Sequence, residues 1–269
     1  MKVLSNNQNK WMGMLILSIL VFLTCKSTQQ SSIKLLDMTY PYDENTIYWP
    51  TAKPFQLTKG NWGFTEKGYF YAANEYSAAE HGGTHVDAPI HFAENGRTID
   101  QIPLQEWVGP AVKIDVVNKC EQNRDYLLQV EDIIDWEKQH GRIADGAWVI
   151  MYTGIDTKYY PDKEKVLGTS KTGMEAIPEL SFPGFSPESA EFLIKERNIR
   201  GIALDTPSID YGKSTEFKVH QILFAADKLA IENIANLGQL PATGATLYAM
   251  PMLIKDGTGA PARVFAVLP

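Results

Sequence analysis

Short runs of β-branched and aliphatic residues, spaced along most of the chain, constrain its fold more than any other feature. The runs predicted to form strands lie at 34–39, 111–117, 147–152, 199–204, 228–232, 246–252 and 262–267. Helical patterns are fewer, at 130–138, 186–195 and 219–226. Between Asp156 and Gly184 the chain is rich in Gly, Pro, Lys and Tyr, which predicts a long surface loop, a lid or a pocket wall.

Many strands and few helices predict a single α/β domain built on a mixed sheet. The chain has 269 residues, of which 44% are hydrophobic and 21% are charged, as in ordinary globular proteins. Its formal charge of −7, with no basic stripe, argues against a nucleic-acid partner.

The first residues predict export. Lys2 and Lys10 precede an apolar run, and Thr24 and Cys25 follow it, so residues 1–25 are predicted to be a signal peptide and 26–32 a flexible tether before a domain at 33–269. The segment resembles a bacterial lipoprotein signal, in which Cys25 is lipidated and anchors the protein to a membrane, although Thr directly before Cys is uncommon. Ordinary secretion to the periplasm or outside, and a retained anchor, are the alternatives. The other cysteine, Cys120, is predicted to be a lone thiol.

Histidines are concentrated in one segment: three of the five in the chain lie within the eleven residues 81–91. Gly82, Gly83 and Pro89 disfavour a helix there, so an extended path is predicted. The positions of the three histidines and of the aspartate between them have the same parity, which would place their side chains on one face. Imidazole nitrogens and a carboxylate on one face match the donors that zinc or manganese prefers. The alternative is a solvated polar loop.

The remaining histidines differ in their surroundings. His140 ends a charged helix beside Gly141, which predicts a role at the helix C-terminus. His220 begins an apolar helix, and Glu232 lies in an apolar strand, where a carboxylate is costly unless it is paired or bound to a metal. A buried acid hydrogen-bonded to a turn is the alternative for Glu232.

Residues 81–92 read HGGTHVDAPIHF, and this segment resembles the signature of the Putative cyclase family, whose members include bacterial kynurenine formamidase and isatin hydrolase. The resemblance extends over nearly all of the chain after the export signal. It includes a Trp-Pro pair at Trp49, the Asp-Thr-Pro-Ser motif at 205–208, and a later His and Glu in the same order and spacing. It implies a cyclase-like swivelling β/β/α fold with a barrel-like sheet flanked by a few helices.

The same resemblance implies a set of metal ligands. His81, His85 and Asp87 would hold one ion. Asp87 and Glu232 would bridge to a second ion, which His220 would also hold. The implied cofactor is Zn²⁺ or Mn²⁺, with one or two ions per subunit.

Four further residues have implied places in the pocket. His91 would donate and accept protons, and Trp49 would lie against the ring of the substrate. Asp205 and Ser208 would shape the pocket; a structural role for both, such as capping the turn before Pro207, is equally open.

These features predict a metal-dependent amidohydrolase, similar to arylformamidase or isatin hydrolase, that attacks a small aryl formamide or lactam with a metal-activated water and a histidine proton shuttle. Export disfavours kynurenine formamidase itself, because its substrate is normally met in the cytoplasm. The alternative is a non-catalytic surface lipoprotein that binds metal or a small ligand, which would need the ligands but not His91. The resemblance also implies a homodimer or a higher homo-oligomer.

Overall fold

Strands dominate the structure, a computed structural model that describes residues 33–269. The strands are β1 Leu35–Asp37, β2 Gln56–Phe64, β3 Phe70–Ser77, β4 His85–Asp87, β5 Val108–Asp115, β6 Leu127–Leu128, β7 Trp148–Tyr152, β8 Gly184–Phe185, β9 Gly201–Leu204, β10 Leu229–Glu232, β11 Thr246–Pro251 and β12 Gly259–Val267. The α-helices are α1 Val117–Gln122, α2 Val130–His140, α3 Ile155–Lys158, α4 Lys163–Leu167, α5 Pro187–Arg197 and α6 Lys218–Ala225. The predicted signal and tether, residues 1–32, lie outside the described residues.

Seven strands close into a barrel in the order β12-β11-β5-β7-β9-β10-β4, and β4 pairs again with β12. The strands β5, β7, β9 and β10 run parallel, whereas the pairings made by β4, β11 and β12 with their neighbours are antiparallel. The length of β12 allows the closure, because Gly259–Pro261 pairs with β4 and the other end pairs with β1. The predicted α/β domain with a mixed, barrel-like sheet is therefore confirmed.

The parallel strands β7, β9 and β10 are buried on both faces, which explains why their sequences are almost continuously apolar. Along β11 and β12, buried residues alternate with partly exposed ones. Along β7, Trp148 and Ile150 belong to the cluster enclosed by the strands, whereas Val149 and Met151 pack among residues of α2, α5 and α6. Full burial of one such side chain contributes about 1.5–3 kcal/mol.

Among residues 33–269, no helix combines the length and the apolar character that are needed to cross a bilayer.

The surface loop predicted from Asp156 to Gly184 is wrong. The segment contains most of α3 and all of α4, and a third apolar cluster packs there around Ile155, Leu167 and Phe182. Its apolar residues are too widely spaced to produce a helical or strand period, so neither its helices nor its buried cluster could be predicted from the sequence pattern. The cluster packs behind Trp49 rather than forming a lid.

A buried acid joins the ends of two barrel strands. Asp205 follows β9 directly and is 2% exposed. Its Oδ1 accepts hydrogen bonds from the backbone N–H and the hydroxyl of Thr153 at 3.0 and 2.8 Å, and its Oδ2 accepts one from the N–H of Asp156 at 3.3 Å. Burial and the neighbouring carboxyl of Asp156 raise the pKa of Asp205 to about 7.

This raised pKa predicts a pH-dependent stability. The pKa of the Asp205 carboxyl is higher in the folded protein than its unfolded value near 4. Protonation of Asp205 therefore contributes fully to the free energy of unfolding below pH 4, and this contribution is lost as the pH rises through about 7. Replacing Asp205 by Asn should flatten the pH dependence of the free energy of unfolding between pH 4 and pH 7, measured by denaturant titration in the presence of a chelator. Asp145→Asn, which removes an exposed carboxylate, should leave the slope unchanged. Equal slopes for wild type and Asp205→Asn would contradict the assignment.

Candidate metal centre

Strand pairing, rather than proximity in sequence, assembles the centre of the site. In β4, His85 and Asp87 point to one face of the sheet, and Val86 points into the barrel. Glu232 of β10 lies directly opposite His85 in the antiparallel register, so the two side chains share a face. The Nε2 atom of His85 lies 3.4 Å from Oε2 of Glu232 and 3.2 Å from Oδ1 of Asp87.

His81 reaches the same centre through a glycine turn. Gly83 has a φ of +58°, and a Cβ atom on Gly82 would lie 2.1 Å from a ring carbon of Tyr48, so neither position accommodates a larger residue without strain or displacement. The turn brings Nδ1 of His81 to 2.7 Å from Oδ1 of Asp87. The predicted extended path with one common face is therefore wrong for His81 and holds only for His85 and Asp87.

His91 is placed in the site by a third backbone conformation. Pro89–His91 forms a turn of 3-10 helix instead of an extended strand, so the parity argument does not apply to His91 either. Its ring stacks on that of His81, with centroids 3.8 Å apart, and burial lowers its pKa to about 3. Within residues 33–269, no side chain is hydrogen-bonded to the His91 ring. His81, Asp87 and His91 each have a donor atom that lies within 4.8 Å of the other two. The position of His91 is therefore also compatible with binding a metal ion.

His220 is held by an aspartate that the sequence analysis did not select as a site residue. Asp210 accepts a hydrogen bond of 2.7 Å from Nδ1 of His220, and it accepts bonds from the backbone N–H groups of Val219 and His220 at the start of α6. This directs Nε2 of His220 to 3.4 Å from Oε1 of Glu232 and 3.8 Å from Oδ2 of Asp87. Asp210 follows the Asp-Thr-Pro-Ser motif by two residues, and this position could have identified it as a site residue.

The outer nitrogens of the three imidazoles around the carboxylates all have partners. His85 donates from Nδ1 to the Gly83 carbonyl at 2.9 Å. The hydroxyl of Thr258 donates to Glu80 at 2.7 Å, so it accepts from Nε2 of His81 at 2.9 Å. With His220 bonded to Asp210, the inner nitrogen of each ring is directed toward the carboxylates of Asp87 and Glu232. Such outer contacts orient metal-ligating histidines.

The charges of this centre are balanced only if a cation or extra protons are present. Asp87 is 1% exposed and Glu232 is 4% exposed. Burial and the charge of Asp87 raise the pKa of Glu232, whereas His81 and His85 overcome the burial of Asp87 and lower its pKa. Burial opposes charge on His85 and His220, but the neighbouring carboxylates raise their pKa values to about 9 and about 10.

The residues present fit a divalent metal ion. Among the described residues, Nε2 of His85 and Oδ2 of Asp87 are buried atoms without a hydrogen-bond partner. Donor atoms of His85, Asp87 and Glu232 lie within 4.8 Å of one another. Imidazole nitrogens together with carboxylate oxygens suit zinc and manganese.

A cavity of about 240 Å³ opens onto these residues and has an aromatic wall. Trp49, Phe92 and Phe217 form most of this wall, with the Phe217 ring 5.9 Å from Trp49 and 5.6 Å from Phe92. Ser208 lines the cavity, whereas Asp205 does not, because its carboxyl accepts hydrogen bonds from the turn after β7. Phe217 carried no signal that distinguished it in the sequence, and Phe92 was marked only as the last residue of the segment 81–92.

The chain is similar to proteins of known activity. A family model described as Putative cyclase matches residues 36–211, which include the segment 81–92 but not His220 or Glu232. The isatin hydrolase of Roseibium aggregatum is 33% identical over 77% of this chain and 78% of that protein. The kynurenine formamidase of Bacillus cereus is 28% identical over 85% of this chain and 94% of that protein. The structure of isatin hydrolase A from Labrenzia aggregata bound to benzyl benzoate has a TM-score of 0.78 at 34% identity, covering 88% of this chain and 94% of that one.

Asp210 provides a test of the centre that leaves its inner residues intact. Asp210→Asn should weaken binding of Zn²⁺ or Mn²⁺ about 10- to 100-fold, because His220 loses the partner that fixes its ring. Competition with a chromogenic chelator measures the affinity. The control is Asp227→Asn, which removes an exposed carboxylate just beyond the other end of α6. If both variants bound metal as tightly as the wild type, Asp210 would have no part in orienting His220.

Proposed function

The chain belongs to the Putative cyclase family, and we propose that it is a metal-dependent hydrolase of small cyclic or aryl amides. One observation carries this proposal: ring nitrogens of three imidazoles converge on two buried carboxylates at the base of an aromatic pocket. The relatives named isatin hydrolase and kynurenine formamidase support a reaction at a carbon–nitrogen bond.

The proposed ligands are His81, His85, Asp87, His220 and Glu232, with Zn²⁺ or Mn²⁺ as one or two ions. A bound ion of this kind supplies a water of lowered pKa and polarises a carbonyl oxygen. The protein contributes the geometry: β4 and β10 fix three of the proposed ligands, His85, Asp87 and Glu232, in register. Asp210 and Thr258 orient two imidazoles from outside. The unpartnered Oδ2 of Asp87 supports this assignment.

We assign the proton transfer to His91. Its ring lines the pocket and lies over His81, and within residues 33–269 its nitrogens are not engaged by another side chain. Burial lowers the pKa of His91, so its ring is neutral before the reaction and can accept a proton from the attacking water. The same low pKa favours delivery of that proton to the nitrogen that leaves when the amide C–N bond breaks. Glu232 is less suited to this role, because it accepts a hydrogen bond of 2.9 Å from the N–H of Ile209 and faces two imidazoles.

The lining of the pocket favours a neutral, flat substrate. Trp49 and Phe217 offer ring surfaces, and the described residues that line the pocket include no lysine or arginine. The α-carboxylate of N-formylkynurenine would therefore lack a cationic partner there, whereas a lactam such as isatin needs none. Among the amides considered, a lactam is the substrate class that we propose.

His91 and His85 are predicted to fail in different ways. His91→Ala should retain metal and lower kcat about 10²- to 10⁴-fold, because only proton transfer is removed. His85→Ala should lose the metal itself, because Nε2 of His85 faces both buried carboxylates. Metal content is measured by mass spectrometry, and turnover is measured on isatin, N-formylkynurenine and simple anilides with added Zn²⁺ or Mn²⁺.

Three results would contradict the proposal or part of it. Metal-free protein that hydrolyses these substrates at the full rate would exclude the mechanism. Protein that binds metal but turns over no amide, lactam or imide would favour the non-catalytic lipoprotein. Full activity in His91→Ala would remove its proton-transfer role.

Export and lipidation at Cys25 are a separate part of the proposal, supported by the sequence of residues 1–32. The full chain, expressed in a bacterial host with radiolabelled palmitate, should incorporate the label. Cys25→Ser should abolish incorporation. Cys120→Ser, which removes the half-buried thiol of the domain, should leave incorporation unchanged. Label that persists in Cys25→Ser would rule out a lipid at this cysteine.

A further inference from the structure

Phe217 has a backbone conformation that is rare for its residue type. Within the part of the chain that the structure describes, five other non-glycine residues have a left-handed backbone, and all are Asn or Asp: Asn198, Asp227, Asn233, Asn236 and Asp256. Asn and Asp tolerate this region, because their short polar side chains can hydrogen-bond locally. Phe217 has φ and ψ angles of 51° and 45°. A bulky residue held in this region indicates backbone strain.

The start of α6 does not explain this strain. A residue that precedes a helix usually has an extended backbone and a Ser, Thr, Asp or Asn side chain that accepts hydrogen bonds from the first N–H groups. Phe217 has neither feature, and Asp210 instead accepts from the N–H groups of Val219 and His220. Glycine at position 217 would adopt the same backbone conformation without strain.

Packing within the fold does not explain the strain either. The Phe217 side chain is partly exposed and belongs to none of the three apolar clusters formed by residues 33–269. Its ring lines the cavity over the metal centre, with centroid distances of 5.9 Å to Trp49, 5.6 Å to Phe92 and 6.1 Å to His220. These three residues line the same cavity. The strained conformation therefore serves to place an aromatic ring in the cavity.

Hydrogen bonds on both sides of Phe217 hold its backbone in place. Its N–H donates to Oγ of Ser214 at 3.1 Å, and the Ser214 hydroxyl donates to Oδ1 of Asp210 at 3.3 Å. Its carbonyl oxygen accepts from the N–H of Gln221 at 3.1 Å, in the first turn of α6. Strained residues persist where the surrounding structure over-determines them, and they cluster at ligand sites.

The angle between the Trp49 and Phe217 rings limits how a ligand can lie. The two ring planes are inclined by 64°, and their centroids are 5.9 Å apart. A flat ring placed between two others needs about 7 Å between them, twice the contact distance of two carbon atoms. A flat ligand can therefore stack on one of these rings and meet the other edge to face, which is a favourable aromatic contact.

We propose that Phe217 binds the aromatic ring of the substrate and that its strained backbone is retained for this contact. The inference rests on the proposed function, because the ligand is taken from the proposed class of flat aromatic lactams. The contact is made with the ring of the ligand rather than with the reacting amide. Its loss should therefore weaken binding and leave kcat unchanged.

Phe217→Leu tests the contact, because it keeps an apolar side chain but removes the aromatic ring. The metal-loaded variant should bind 2-oxindole, a flat aromatic lactam, about 3- to 10-fold more weakly than the wild type in isothermal titration calorimetry. The KM for isatin should rise by a similar factor. The control is Phe192→Leu, which removes a partly buried ring of α5 outside the cavity and should change neither value.

Phe217→Gly and Phe217→Ala test the strain, because both lack the ring and only alanine keeps the Cβ atom. In denaturant titrations at equal metal concentration, the unfolding equilibrium constant should be on the order of fivefold smaller for Phe217→Gly. The strain that glycine relieves exceeds the extra entropy that it gives the unfolded chain. At Glu191, an exposed position inside α5, glycine should instead be less stable than alanine.

Four results would overturn the inference. A wild type that binds no 2-oxindole, or Phe217→Leu that binds it as tightly as the wild type, would exclude the contact. Phe217→Leu that loses metal together with 2-oxindole binding would assign the ring to the support of α6. Phe217→Ala as stable as Phe217→Gly would exclude strain.

The proposed hydrolase activity can fail separately from this inference. Wild-type protein that binds 2-oxindole through Phe217 and hydrolyses no amide would refute the activity alone. Hydrolysis of isatin with an unchanged KM in Phe217→Leu would refute the role of Phe217 alone.

Discussion

The burial of Asp87 is the constraint on which the rest of the site depends. A carboxylate that is 1% exposed is unfavourable by several kcal/mol unless opposite charge or hydrogen bonds compensate. Here compensation comes from three directions: His81 through the glycine turn, His85 two residues back in β4, and His220 from α6. The barrel must close at β4 for these groups to meet, because β4 lies between β10 and β12.

Asp87 and Asp205 are both buried, yet their pKa values are shifted in opposite directions, and their neighbours explain why. Imidazoles face Asp87, so Asp87 keeps its charge and its pKa is lowered, whereas burial and the charge of Asp87 raise the pKa of Glu232. Asp156 and Asp205 face backbone N–H groups and each other, and the pKa values of both are raised. Burial is common to all four acids; the direction of each shift depends on whether basic partners outweigh burial and the neighbouring carboxylate. Of these acids, only Asp87 and Glu232 are suited to a metal ion.

The sequence predicted those parts of the molecule in which a local pattern and the final contact coincide. The apolar run at 147–152 became β7, and the two-residue period placed His85 and Asp87 on one face. The position of Glu232 in an apolar strand predicted that its carboxylate would be paired, and the strand register does bring it opposite His85.

The remainder depends on contacts between distant segments, which no local pattern records. His81 reaches the site through a turn whose geometry requires Tyr48 and Gly82 to approach closely. Asp210 acts through α6, and its role becomes visible only when the helix is in place. The strands β2 and β3 were not predicted, because glycines, a lysine and an asparagine interrupt the apolar alternation in the sequence of β2. The bulge between Lys59 and Trp62 shifts the register, so the apolar residues on either side of it still lie on one face.

The ligands and the walls of the pocket come from different parts of the fold. Most of the proposed ligands lie in β4, β10 and α6, whereas the wall comes from the segment around Trp49, the turn at Pro207 and Phe217 at the start of α6. Substitutions in the wall can therefore accumulate without disturbing the ligands. Under the proposed function, mutation at a few aromatic positions would change which amide is bound while the metal-dependent chemistry stayed the same. Divergence in substrate among related proteins is then expected to be frequent and to leave the segment 81–91 nearly invariant.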